Sequence, residues 1–196
     1  MLHRPALPQL TEPDVLALGD GRAVVFDGVL GDTRAHEIRR DALALFESGS
    51  LRPAGIGRTA ARTPEVRADF ICWVDGNGPF ADVIGLFESL RRQLGELAYL
   101  GAQSIEAQLA VYPQGLGYTR HRDSLVGSSA RRMTLIYYAT DWHDDCGGEL
   151  ELVEPDSLRV IEPRCDRLVV FRPELEHAVR PIARGERVAI SGWLRA

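Results

Sequence analysis

The sequence predicts an α+β domain that is mainly β: a β-sandwich or jelly roll with helices buttressing it from the N-terminal side. Three observations predict it. Two stretches of helical apolar spacing lie in the first half of the chain. From about residue 105 short apolar runs alternate with turn signals at regular intervals, as the strands of an antiparallel sandwich do. The 196 residues, 45% hydrophobic and 26% charged, have the size and balance of one domain with its own core.

Residues 1–20 are Pro-rich and read as an N-terminal arm, leaving 21–196 as the single domain. "RAVVFDGVLG" (22–31) reads as a short strand ended by a turn. "DTRAHEIRRDALALFESG" (32–49) reads as a helix, with Asp32 or Thr33 able to cap it and Gly49 as its stop. Residues 50–69 combine Pro, Gly and many arginines and read as a surface loop. A second helix spans about 79–99, its apolar stripe formed by Val83, Phe87, Leu90, Leu94 and Leu97. The strands follow in "IEAQLAVYP", "RRMTLIYYAT", "GELELVE", "SLRVIEP", "DRLVVFRP", "HAVRPI" and "RVAISGWLR".

Composition narrows the functional classes. The net charge is −5, and all 23 basic residues are arginine, so no basic surplus argues for nucleic acid as a partner. No apolar run approaches the roughly 20 residues of a membrane-spanning helix, and the N-terminus does not read as a signal peptide. Cys72, Cys146 and Cys165 are odd in number and far apart, which suits reduced thiols in a cytoplasmic protein and gives no support to a Cys-rich zinc site.

The chemistry starts at "GYTRHRDS" (117–124). At a strand end, side chains two residues apart share a face, so His121 and Asp123 point together while Arg122 points away. The HxD pair alone is a weak signal and equally describes a surface ion pair. A third ligand decides. His3 lies in the arm, His36 beside charged residues of a helix and His143 in a polar loop, whereas His177 opens a strand at the sandwich mouth. Two histidines and one carboxylate with open positions form the facial triad of non-heme Fe(II) oxygenases, although such a set also accepts Co, Ni or Zn. In the last strand Arg187, Ala189, Ser191 and Trp193 share one face. An inward arginine there needs an anion, and its fork suits a carboxylate. The plainer reading pairs Arg187 with Glu186 or Glu176 at the surface.

From Tyr112 onward the chain resembles the prolyl 4-hydroxylase family of Fe(II)/2-oxoglutarate-dependent dioxygenases, above all the branch of the HIF prolyl hydroxylases and their bacterial relatives. "YPQGLGYTRHRDS", "RMTLIYYATDWHDDCGGEL", "IEPRCDRLVVF" and "HAVRPIARGERVAISGWL" carry the likeness, and "VVFDGVLG" and "RADFICWVDG" extend it across nearly the whole chain after the first 20 residues or so. The resemblance implies a double-stranded β-helix core. It implies that His121, Asp123 and His177 bind Fe(II), and that Arg187 pairs with the distal carboxylate of 2-oxoglutarate while Tyr138 gives that carboxylate a hydrogen bond. Tyr112 then sits beside co-substrate and metal, Ser191 stands where relatives often have threonine, and Trp193, Arg132 and Tyr118 line the substrate entrance. Arginine rather than lysine as the anion partner points to the HIF-type branch. Relatives clamp a peptide with the segment matching 50–69, and "SLVGSSARR" (124–132) could serve as an entrance lid.

The implied reaction couples O2 reduction and oxidative decarboxylation of 2-oxoglutarate, giving succinate and CO2, to hydroxylation of a C–H bond, with ascorbate as an accompanying reductant. The expected substrate is a prolyl residue in a protein or peptide. A free amino acid or natural-product intermediate is the alternative, and a non-catalytic cupin-like binding module or a cupin enzyme working without 2-oxoglutarate the more distant ones. Neither nucleic acid nor membrane is expected as a partner, and oligomeric state is left open.

Overall fold

The computed structural model describes residues 7–55, 66–124 and 130–196. Inside the segment read as an arm, α1 (Glu12–Gly19) forms because Thr11 and Asp14 make a reciprocal capping box and Pro13 fits the first turn. The backbone N–H of Leu10 donates to Gln93 Oε1 at 2.8 Å, which ties this segment to the long helix behind it. The first predicted strand is β1 (Val24–Asp27) and the first predicted helix is α2 (Asp32–Glu47). Neither Asp32 nor Thr33 caps α2. Its N-cap is Gly31 at φ 88°, a conformation glycine adopts without strain, and no side chain bonds there from within the helix. A distant residue does that work: the buried Asp166 carboxylate accepts from the N–H groups of Leu30 at 2.9 Å and Gly31 at 2.7 Å.

The loop expected at 50–69 holds a short strand, β2 (Arg52–Pro53), and residues 56–65 lie outside the described residues. β3 (Phe70–Val74) leads through a 3₁₀ turn (Gly78–Phe80) into α3 (Ala81–Ala98). Val83, Phe87, Leu90 and Leu94 are buried as the stripe requires, but Leu97, in the last turn of the helix, is half exposed. Then come β4 (Ser104–Tyr112), β5 (Tyr118–His121), β6 (Arg131–Tyr138), β7 (Leu150–Glu154), β8 (Ser157–Ile161), β9 (Arg167–Phe171), β10 (His177–Val179) and β11 (Arg187–Arg195).

These strands build two antiparallel sheets in the order β1-β9-β6-β11-β4-β3-β2 and β5-β10-β7-β8, facing each other as the two halves of a double-stranded β-helix. The seven-stranded sheet is covered on both faces, which is why β6 and β11 read as nearly continuous apolar runs. On one face Leu109, Val111, Leu135 and Ile190 meet Phe87, Leu90 and Leu94 of α3. The helix comes so close that a Cβ on Gly192 would stand 2.5 Å from the Phe87 ring, so only glycine fits there. On the other face Ile136, Tyr138 and Ala189 meet Leu150 and Leu152 of the smaller sheet. The candidate site opens on this second face.

Candidate metal centre

The site begins where the two predicted histidine strands pair. His121 ends β5 and His177 opens β10, and the two are direct cross-strand partners, with ring centroids 4.1 Å apart. Asp123 reaches the same place by another route than strand alternation, because β5 stops at His121. The carbonyl of Pro173 accepts from the N–H groups of Asp123 and Ser124, at 3.0 and 3.1 Å, and this turn carries the carboxylate round to the histidines. Asp123 Oδ1 lies 3.9 Å from His121 Nε2, and Oδ2 lies 3.7 Å from His177 Nε2. One ligand atom from each residue falls within 4.8 Å of the others, the spacing of three corners around one ion.

The tautomers follow from the backbone. His121 Nδ1 lies 2.9 Å from the carbonyl of Thr119, and His177 Nδ1 lies 2.9 Å from the carbonyl of Leu175. A carbonyl only accepts, so each Nδ1 donates, and in the neutral ring each Nε2 keeps its lone pair for the centre. Burial, reinforced by the neighbouring His177, brings the pKa of His121 down to about 4. Burial alone would raise Asp123, but His177, the Trp193 indole, His121 and the Thr134 hydroxyl outweigh it and hold the carboxyl below its ordinary range. Thr134 Oγ1 donates to Asp123 Oδ2 at 2.8 Å. The donor set is therefore two neutral imidazoles and one carboxylate without a thiolate, which fits Fe(II) with positions to spare.

Arg187 lies at the far end of the same sheet face, 3% exposed, and makes no ion pair among the described residues. The surface pairing weighed from sequence is absent: Glu186 lies 3.5 Å from Arg39 instead, and Glu176 pairs with Arg122 at 3.1 Å. Arg187 donates to the Tyr138 hydroxyl at 3.2 Å and lies 5.0 and 4.9 Å from the Tyr112 and Tyr138 ring centroids, while its buried Nε has no partner among the described residues. Burial raises the phenol pKa of both tyrosines, so both remain protonated donors. A buried guanidinium with free donors and phenols beside it is chemically suited to one end of a dicarboxylate. Gly148 gives its stem room, since a Cβ there would lie 3.3 Å from Arg187 Cδ.

The remaining expected residues separate. Tyr118 stacks on His121 with centroids 3.5 Å apart, and Trp193 lies on the site face beside Asp123. Ser191 is half-buried on the same face of β11, between Arg187 and Trp193. Arg132 is exposed, and Arg131 takes the place expected of it: its guanidinium lies 3.8 Å from the Trp193 ring centroid and its Nη1 donates to the Asp123 carbonyl at 3.3 Å. A register shift between Leu194 and Arg195 makes the exchange, because Arg195 pairs with Arg131 and skips Arg132. Most of the lid segment (125–129) lies outside the described residues.

Sequence reasoning missed the pair Arg67–Asp69, whose two hydrogen bonds measure 2.7 and 2.9 Å. Burial would lower the Arg67 pKa, but Asp69 more than offsets it. Arg67 lies 5.0 Å from the Tyr118 ring centroid and so braces the residue stacked on His121. No spacing signal marks this pair. Thr134 was findable, because it shares a strand face with Tyr138 four residues on.

Residues 107–195 match the family model of the 2OG-Fe(II) oxygenase superfamily. Egl nine homolog 1 of Homo sapiens is 30% identical over 203 residues, covering 96% of this chain but 47% of that protein, so the chain spans about half its length. A prolyl-4-hydroxylase of Pseudomonas putida superposes with a TM-score of 0.85 at 26% identity, covering 94% of this chain and 98% of that one. A prolyl hydroxylase of Trichoplax adhaerens, solved with a peptide fragment of the hypoxia inducible factor oxygen degradation domain, gives 0.84 at 27% identity, covering 93% and 87%. Residues 107–195 thus match a 2OG-Fe(II) oxygenase domain, and nearly the whole chain is similar to prolyl hydroxylases in sequence and fold.

Proposed function

We propose that this chain is an Fe(II)- and 2-oxoglutarate-dependent hydroxylase of prolyl residues in a protein or peptide. The observation that carries the reading is Arg187: a buried guanidinium with free donors, on the same sheet face as a buried His-Asp-His cluster. When bound, iron and 2-oxoglutarate supply the oxidising chemistry, with succinate and CO2 formed as a C–H bond gains a hydroxyl. His121, Asp123 and His177 hold the metal through Nε2, a carboxylate oxygen and Nε2. Arg187 and the Tyr138 hydroxyl bind the distal carboxylate, Tyr112 stands beside them, and Ser191 lies further along the same face of β11. Trp193, Tyr118 and Arg131 form the wall where substrate arrives. Ascorbate as reductant and a cytoplasmic location belong to the same proposal. Among the described residues no helix is long and apolar enough to cross a membrane.

Two observations support a polypeptide over a free amino acid or natural-product substrate. The Trichoplax adhaerens protein, similar over most of both chains, was solved with a peptide. Here a groove of about 420 Å3 borders Tyr118, lined in part by Val66, Ala68, Gly117, Ala178 and Arg180, and gives an extended chain somewhere to lie. The complete triad and the free donors of Arg187 weigh against a non-catalytic module. Anaerobic addition of Fe(II) and then 2-oxoglutarate tests the reading. A weak visible charge-transfer band should need both and should give way to succinate in air. Metal binding without a band or succinate would sink it.

A further inference from the structure

We infer that Gln108 is a specificity-determining residue, hydrogen-bonding a main-chain amide of the substrate polypeptide next to the reacting prolyl ring; this rests on the function proposed above. Gln108 is 4% exposed on β4. Its neighbours Ala107 and Leu109 point into the helix-side core, and Ala110 and Tyr112 point to the site, so strand alternation puts Gln108 on the site face. Its cross-strand partners agree. Ser191 lies opposite on β11 and Trp73 opposite on β3, and the Trp73 and Trp193 rings meet edge to face at 6.5 Å.

The Gln108 amide makes no hydrogen bond among the described residues. The amide is not sealed off from solvent, so its donors and acceptor are open to a group that enters the site. The co-substrate end of the site is the wrong place for that group. Four residues along β4, about 13 Å of strand, separate Gln108 from Tyr112, the cross-strand partner of Arg187. Gln108 instead stands under the half-exposed Trp73, where the site opens. A glutamine amide offers one carbonyl acceptor and N–H donors, and the group that satisfies both is another amide. The Trp73–Trp193 wall beside it suits the apolar face of a pyrrolidine ring. Together they read a prolyl residue embedded in a chain. Free proline lacks the flanking amides.

The test compares wild type with Gln108→Met, which keeps size and removes both hydrogen-bonding groups. The probes are the blocked peptide acetyl-(Ala-Pro)4-amide and free L-proline. Succinate formation without prolyl substrate and the KM for 2-oxoglutarate are followed in parallel. The variant should raise the peptide KM by about tenfold or more. Its substrate-free succinate rate and its KM for 2-oxoglutarate should match wild type, which also shows that it folds. An unchanged peptide KM overturns the inference, and so does a loss that falls on 2-oxoglutarate or on substrate-free turnover instead. Wild type that turns over 2-oxoglutarate but ignores the blocked peptide overturns it while leaving the oxygenase standing. Wild type that binds iron and yields no succinate takes down the proposed function, and this inference with it.

Discussion

The two faces of the seven-stranded sheet are made by the same strands and differ in what they leave unfinished. Toward the helices, Leu109, Leu135, Val188 and Ile190 close on Phe87 and Leu90, and the tyrosine on that side, Tyr137, donates to Asp166 at 3.1 Å. Toward the smaller sheet, the equally buried Arg187 has no carboxylate partner among the described residues, and its Nε has no hydrogen bond there. Adjacent residues make the contrast sharp: Tyr137 faces a carboxylate that is already present, and Tyr138 faces a guanidinium that has none. The helix face is closed by its own residues, with Arg39 Nη1 on α2 its buried unpaired atom among the described residues, whereas the site face presents an unpaired guanidinium beside a cluster of metal-binding groups. Burial is equal on both, so burial alone does not mark function; unmet hydrogen-bonding capacity does.

Five substitutions probe that contrast, in falling order of effect. Asp123→Ala should abolish metal-dependent turnover, exceeding the roughly 100-fold that loss of an outer-shell partner costs, because it removes the bridge between both histidines. Metal affinity by competition with a chelator reports it directly, and turnover that survives would mean the cluster is not the centre. Phe87→Ala acts on the other face. It should destabilise the fold by about 3–5 kcal/mol, since the ring is fully buried, yet leave activity per folded molecule as it was. Thermal unfolding and single-turnover assays separate the two effects, and a drop in per-molecule activity would show that the faces are coupled.

How much of this the sequence revealed depends on the range of the interaction. Periodicity placed α2, α3 and the later strands, because each is a local alternation of apolar and polar residues. His177 was legible because it opens a strand. Arg187 was legible because alternation assigns it a face, and Tyr138 because "IYYAT" resembles the family's motif. What stayed hidden came from contacts between distant segments. The cap of α2 is supplied by Asp166, 135 residues from Gly31. Asp123 is turned by the carbonyl of Pro173, which no HxD pattern encodes. The exchange of Arg132 for Arg131 follows from one skipped residue in the β6–β11 register, and a period-2 argument fails past such a point.

Arg187→Ala should separate co-substrate binding from metal binding. Truncating one partner of a buried charge pair costs about 2 kcal/mol or more, roughly a 30-fold rise in the KM for 2-oxoglutarate. The metal affinity should hold, because Arg187 contacts Tyr138, Tyr112 and Gly148 and none of the three ligands. Equal loss of both affinities would contradict the division of the face into two ends.

Thr134→Val is the smallest change and the finest probe. Valine nearly matches threonine in shape, so packing on β6 is kept while the 2.8 Å bond to Asp123 Oδ2 is lost. The carboxylate retains its turn, since Pro173 still accepts from the Asp123 N–H, and it retains the Trp193 indole nearby. What it loses is the group that fixes its rotation. Metal affinity should fall by roughly tenfold, the lower end for an outer-shell partner, with thermal stability nearly unchanged. On the helix face, an equally conservative swap such as Ile190→Val should show the reverse, a loss of about 1 kcal/mol in stability and no change in metal affinity. If Thr134→Val instead lowers stability and spares the metal, the hydroxyl is part of the core and the two faces differ less than their chemistry indicates.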